Sequence, residues 1–412
     1  MNLKIEKDRV FEELETLGCI SSEPAPVTTR VVFTEADLRG RAYVKGLCAD
    51  AGLSLREDPV GNTFARWEGQ DRDAAAVGTG SHIDAIPNAG RFDGTVGVLG
   101  GLEAIRALQR SGFRPRRSVD LIVFTSEEPT RFGIGCLGSR MMAGLLDESV
   151  GERFVDRDGV SLNQARTGAK FKGGLDTVKL APAAYSAFVE LHIEQGPILE
   201  RDNIDLGVVT AIAAPASLKV EIVGQGGHAG AVLMPDRHDA FLAAAELALV
   251  VEKAARSSGS IDTVGTVGVC QVFPGAVNSV PSRTRLEIDV RDIDQQRRDG
   301  VLRRIYEAGE EIESRRGAKI TIECVNADPP AACDPLIVSA LADSAAVHGL
   351  SFQKMISRAY HDSLFFSRIA PTAMLFIPCR GGVSHRPDEY ASPEAIANGS
   401  VVLAETLARL AI

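Results

Sequence analysis

Residues 74–111 read AAAVGTGSHIDAIPNAGRFDGTVGVLGGLEAIRALQRS. The first seven make a short apolar run, as in a strand inside a sheet. From about 95 to 111 the apolar residues recur at helical spacing, so that stretch predicts a helix. Between the two lie one His, two Asp and several Gly. Strand, polar turn and helix form the repeating unit of an α/β layer, where sites develop beyond the carboxyl ends of the strands. Runs at 118–126 (SVDLIVFTS) and 185–193 (YSAFVELHI) predict two more strands, and helical periodicity appears at 4–17 and 35–51. The expected fold class is α/β, with a mixed, largely parallel sheet flanked by helices.

The pattern changes after Ala211. A strand at 218–223 is followed by a long amphipathic helix at 236–256 and strands at 263–273 and 284–291. A charged helix at 294–316 and a last strand at 319–325 complete the series. That order, β-α-β-β-α-β over about 110 residues, is the split βαβ of ferredoxin-like α+β domains. The α/β pattern returns after Asp328-Pro329-Pro330, with a helix at 335–348, a strand at 372–378 and a helix from about 393. The expectation is one catalytic domain in two pieces, 1–212 and 328–412, interrupted by an inserted lid domain at 213–327.

Composition bounds the function. The chain has 412 residues, with 45 Lys+Arg against 55 Asp+Glu and a net charge of −10. An acidic chain argues against nucleic acid, which needs a clustered basic footprint. No apolar run approaches the ~18 residues of a membrane span, and Met1 to Asp8 carries no apolar signal-peptide core. Seven cysteines, scattered and odd in number, predict neither a disulfide framework nor a CxxC zinc knuckle, and point to the cytoplasm.

The chemistry concentrates where strands end. The sequence offers Gly80-Ser81-His82-Ile83-Asp84, then Phe92-Asp93-Gly94, then Thr125-Ser126-Glu127-Glu128. Later come Glu190-Leu191-His192-Ile193-Glu194-Gln195-Gly196 and Gly381-Gly382-Val383-Ser384-His385. Imidazole and carboxylate together suit Zn²⁺, Mn²⁺ or a similar ion. One carboxylate between two His-plus-acid sets is what a pair of metals about 3.5–4 Å apart requires. On an extended segment Glu127 and Glu128 point to opposite sides, so one can ligate while the other acts as a general base. Each of these residues taken alone also has an ordinary structural reading. Gly224-Gln225-Gly226-Gly227-His228-Ala229-Gly230 reads equally as a close-approach loop around a His or as a tight hairpin turn. Arg291 suits a carboxylate, or an ion pair with Asp289 or Asp292. Tyr360-His361-Asp362 precedes a helical segment, with Asp362 available as its cap.

Taken in order, seven motifs resemble the amidase, hydantoinase and carbamoylase branch of the dinuclear M20 metallopeptidase family. They are GSHIDAIPNAGRFDGTVGVLGGLEAI (80–105), FTSEEPTRFGIGCLGSRMMAG (124–144), ELHIEQGPILE (190–200), GQGGHAG (224–230), NSVPSRTRLEIDVRD (278–292), AYHDS (359–363) and GGVSHRPDEY (381–390). The resemblance spans nearly the whole chain. It implies two divalent ions per subunit, Mn²⁺ first, with Zn²⁺, Co²⁺ or Ni²⁺ as alternatives. His82 and His192 would be terminal ligands of one ion, and Glu128 and His385 of the other. Asp93 would bridge them, Glu127 would activate the bridging water, and Asp84 would orient His82. His228 resembles an oxyanion-stabilising His that reaches the active site of a neighbouring subunit. Gln195, Asn278, Arg291, His361 and Tyr360 resemble substrate contacts. The inserted domain of this family carries the dimer contact, so a homodimer is implied.

The family's activity implies hydrolysis of a linear ureido or carbamoyl group. Pro129-Thr130 after the paired Glu, and Tyr360 before His361-Asp362, resemble the ureide-catabolising subgroup. They put (S)-ureidoglycolate first as substrate, yielding glyoxylate, ammonia and CO₂. N-carbamoyl-L-amino acids, β-ureidopropionate and allantoate are the alternatives. A catalytically inactive metal-binding homologue ranks below these, because Glu127 and all five ligand positions are filled.

Overall fold

The computed structural model describes residues 3–412; Met1 and Asn2 of the N-terminal octet lie outside the described residues. The chain divides into two compact units. The first comprises the chain up to Thr210, Cys333–Ser357 and His361–Ile412, and the second comprises Ala211–Ala332 with Arg358–Tyr360. The divisions expected at 212 and 327 therefore fall at 210 and 332, and Tyr360 groups with the second unit. Among the described residues no helix is long and apolar enough to cross a membrane.

The first unit is built on a mixed sheet. Its path runs Leu206–Ile212, Thr372–Ile377, Tyr185–Ile193, Ala76–His82, Val119–Phe124, Thr63–Trp67, Ser54–Glu57. The four strands from Thr372–Ile377 to Val119–Phe124 are mutually parallel, and the pairings outside them are antiparallel. Parallel strands need both faces covered, and these four are buried along nearly their whole length. Register sets His82 opposite Phe124 and His192 opposite Phe376. All four strands thus deliver their carboxyl ends to one edge of the sheet, which is where the chemistry-bearing residues stand.

Helix Thr95–Arg110 shows why the sequence folds tightly here. Its apolar face is wholly buried at Val96, Val98, Leu99, Leu102 and Ile105. A Cβ on Gly97 would lie 2.3 Å from the Leu191 carbonyl oxygen, so only glycine lets the helix approach the sheet this closely. Helix Pro393–Leu410 packs beside it, with Leu403 and Leu407 fully buried. On the other side an aromatic cluster forms around Phe124, Phe188 and Phe366, the last two stacked with centroids 4.3 Å apart.

The second unit is a four-stranded antiparallel sheet, ordered Val264–Phe273, Arg283–Asp292, Ala214–Val223, Lys319–Ala327. In chain order that is second, third, first, fourth. Alternation along Arg283–Asp292 buries Leu286, Ile288 and Val290 against helices Ala240–Arg256 and Gln295–Arg316. Helix Ala240–Arg256 starts later than the 236 expected. The Asp239 side chain caps it, and Met234–Asp236 forms a separate turn.

Candidate active site

His82 ends its strand, and His192 lies one residue before the end of its own. The Nδ1 of His82 lies 3.0 Å from the Asp84 carbonyl oxygen, and that of His192 lies 2.9 Å from the Ile193 carbonyl oxygen. A carbonyl accepts only, so each Nδ1 carries the proton, and in the neutral ring Nε2 keeps its lone pair. Those two Nε2 atoms stand 3.6 and 3.2 Å from Asp93 Oδ1. The backbone N–H of Gly94 donates to His192 Nε2 at 3.1 Å, as this tautomer allows. The other oxygen of Asp93, Oδ2, is 3.2 Å from His385 Nε2, which is itself 3.3 Å from Glu128 Oε1. Two triads, His82–Asp93–His192 and Asp93–Glu128–His385, therefore share one carboxylate, one oxygen each, with ligand-type atoms within 4.8 Å of one another.

The electrostatics follow from this crowding of acids. Hydrogen bonds donated to the Asp93 and Glu128 carboxylates push the His385 imidazole up to about 11. Burial alone would lower the His82 pKa, but Glu127, Asp93 and Asp84 lift it well above the usual value. Burial alone would raise Asp93, but the three imidazoles hold it well below the carboxylate range.

Asp84 divides its task. Its carbonyl fixes His82, while its carboxylate Oδ1 stays 3.6 Å from the ring nitrogen. The carboxylate instead accepts the backbone N–H groups of Glu127 and Glu128, at 3.2 and 3.1 Å. The expected orientation of His82 thus runs through the main chain of Asp84, and its side chain holds the paired glutamates. Burial pushes that side chain up to about 6.

Glu127 and Glu128 leave the strand through Ser126, whose φ is 55°. Their side chains part: Glu128 meets His385, and Glu127 Oε2 stands 3.7 Å from His82 Nε2. The Cys136 thiol lies 3.5 Å from Glu127 Oε1. Burial raises the Glu127 carboxyl well above its usual range.

The residues expected to touch substrate are distributed differently. Gln195 donates through Nε2 to Asp93 Oδ2 at 2.6 Å, and its buried Oε1 has no hydrogen-bond partner. Its donor is engaged by Asp93 in this arrangement. His361 is buried against His192, ring centroids 4.4 Å apart, with Nε2 3.0 Å from Ser357 Oγ. Asp362 is not a helix cap. It begins helix Asp362–Phe366 as a buried carboxyl that accepts from Ser139 Oγ.

Four expected residues lie in the second unit. His228 pairs with Ser279 in a short antiparallel ladder, and the Ala229 N–H bonds to the Asn278 carbonyl oxygen, so His228 and Asn278 are neighbours. Both are exposed. Arg291 makes the ion pair with Asp289, Nε to Oδ1 at 2.7 Å, and its guanidinium lies 5.8 Å from the Tyr360 ring centroid. Asp292 is engaged elsewhere, by Arg297 and Thr263.

Glu389, Ser384 and Gly94 also belong to the site, although their sequence signals were faint. Ser384 Oγ lies 2.6 Å from Asp93 Oδ2. A Cβ on Gly94, at φ 68°, would come within 2.3 Å of His82 Nε2.

A buried carboxylate shared by two imidazole-bearing sets, with a second buried glutamate beside it, is the donor set of a hydrolase suited to divalent cations. The chain belongs to peptidase family M20/M25/M40, whose model matches residues 78–409, and within it to the amidohydrolases of carbon–nitrogen bonds. It is 55% identical over 414 residues to ureidoglycolate hydrolase of Oryza sativa subsp. japonica, covering 99% of this chain and 85% of that protein. It is 37% identical to N-carbamoyl-L-amino acid amidohydrolase of Geobacillus stearothermophilus, covering 99% of each. The crystal structure of AtUAH in complex with glyoxylate superposes with a TM-score of 0.91 at 54% identity, covering 99% of this chain and 98% of that one.

Proposed function

We propose that this protein hydrolyses the ureido group of (S)-ureidoglycolate, releasing glyoxylate, ammonia and CO₂. The observation that carries the chemistry is the pair of triads meeting on Asp93 with Glu127 beside them. The identity to the rice ureidoglycolate hydrolase supports the substrate.

His82 and His192 on one side, and Glu128 and His385 on the other, would hold two divalent ions, with Asp93 between them. Mn²⁺ is the leading ion, and Zn²⁺, Co²⁺ and Ni²⁺ fit the same donors. When bound, such ions acidify water toward neutrality and polarise a carbonyl. Glu127 accepts the proton of the attacking water as the new C–O bond forms, and later delivers it to the departing nitrogen. Ammonia leaves, the remaining carbamate loses CO₂ to give the α-amino-α-hydroxy acid, and loss of its amine as a second ammonia, with re-formation of the carbonyl, gives glyoxylate. Asp84 keeps Glu127 at its post by gripping its backbone N–H. His228 donates to the developing oxyanion, and Arg291 pairs with the substrate carboxylate.

The placement of those last two residues supports a homodimer. Eight residue steps of strand separate Arg283, next to the His228–Asn278 end, from Arg291. At ~3.3 Å per residue that is about 26 Å, too far for one small ureido acid to touch both ends in one chain. Two copies resolve the distance, each His228 serving its partner's substrate. Exposed Leu233, Met234 and Val277 beside His228 support a contact surface there. Seven unpaired cysteines support a reducing, cytoplasmic setting.

The experiment is a substrate panel of ureidoglycolate, allantoate, N-carbamoyl-β-alanine and N-carbamoyl-L-amino acids, read by ammonia release. The highest kcat/KM is expected for (S)-ureidoglycolate. A higher value for any other member reassigns the substrate within the same chemistry.

A further inference from the structure

Glu389 lies in the segment between strand Thr372–Ile377 and helix Pro393–Leu410 and is buried. Its Oε1 accepts the backbone N–H groups of Phe92 and Asp93, at 2.7 and 3.0 Å. Its Oε2 lies 2.9 Å from Ser384 Oγ and 3.3 Å from the His385 N–H. Three backbone N–H groups and the Ser384 hydroxyl, whose single proton is shared with Asp93 Oδ2, therefore converge on one carboxylate, close to the capacity of its lone pairs. Two of them belong to the turn that presents Asp93, and two to the loop that presents His385. The approach is built into the backbone, because a Cβ on Gly90 would stand 2.3 Å from the Glu389 Cβ.

We propose that Glu389 is a positioning residue that fixes the distance between Asp93 and His385 and thereby sets metal affinity on the Glu128–His385 side. The proposal rests on the reading of Asp93, Glu128 and His385 as ligands. A buried carboxyl group keeps its donors in place because nothing else can satisfy it. Asp84 does the equivalent work for Glu127 and Glu128. Asp93 serves both triads and His385 only one, and Glu389 makes no hydrogen bond to His82 or His192, so its effect is larger on the Glu128–His385 side. Outer partners of metal ligands are typically worth ~10–100-fold in affinity.

The test is competitive chelator titration of metal-loaded wild type and Glu389→Gln, with bound Mn²⁺ counted per chain. The neutral amide keeps the size of the side chain but cannot accept four donors. The expected result is two ions in the wild type and, in the variant, one of them weakened by ~10–100-fold, the other weakened less. Excess Mn²⁺ should then restore kcat in part, which a general loss of structure would not allow. Ser384→Ala serves as the second variant, because it keeps the N–H bonds of Glu389 while removing the hydroxyl between Glu389 and Asp93. Selective weakening of one ion in it supports the proposal even if Glu389→Gln fails to fold. Wild-type affinity at both positions in a folded variant overturns it, as does equal weakening of both. A wild type that binds no metal contradicts the ligand reading beneath it instead.

Discussion

Asp93 is touched by His82, His192, His385, Gln195 and Ser384, and each of its two oxygens serves a different triad. Asp93→Ala should therefore cost both ions, measured as metal per chain after gel filtration, whereas a ligand serving one ion should cost one. Glu127→Gln should leave metal content near wild type and remove turnover, because an amide cannot take a proton; substantial ammonia release by that variant would reassign the base. At this scale much was legible in the sequence. His82 and His192 sit at strand ends, where alternation and strand direction decide what reaches the site, and Glu128 follows four residues beyond the strand that ends at Phe124. Glu389 and the split task of Asp84 were not legible. They act through backbone N–H groups of residues far away in the chain, and a main-chain hydrogen bond leaves no pattern in the residue types it uses.

Helix Thr95–Arg110 ties its sequence to the site through its first turn. Gly94 is its N-cap, with a positive φ and the His82 ring against it. Gly94→Ala should add backbone strain of about 1 kcal/mol or more and displace His82, which would read as a lower melting temperature together with lost metal. On the far side of the sheet, Phe366→Ala should cost about 3–5 kcal/mol in denaturant unfolding, since Phe366 is fully buried among Phe124, Tyr185 and Phe188. The central strands and long helices were readable because their periods are strong. Ser54–Glu57 was not, being exposed at every position, and an edge strand without alternation has no burial signal. Phe352–Ser357 is half-buried on both sides and equally silent.

At the scale of the molecule, His228 lies in the short ladder next to the Arg283 end of the strand that carries Arg291 at its other end, and the proposed dimer turns that separation into function. His228→Ala should lower kcat by ~10²–10³ as an oxyanion donor is lost. Mixing Glu127→Gln chains with His228→Ala chains gives a sharper reading. If His228 serves its partner, exchanged dimers regain one intact site, and activity should return to about a quarter of wild type for random pairing of a two-fold dimer. No recovery after verified subunit exchange would place His228 outside the partner's site.

The most direct measurement is ammonia release from (S)-ureidoglycolate by protein stripped with chelator and then titrated with Mn²⁺. The two triads around Asp93 predict no turnover in the stripped protein and full recovery as two ions per chain are bound. Undiminished turnover in protein shown to be free of metal would contradict the account.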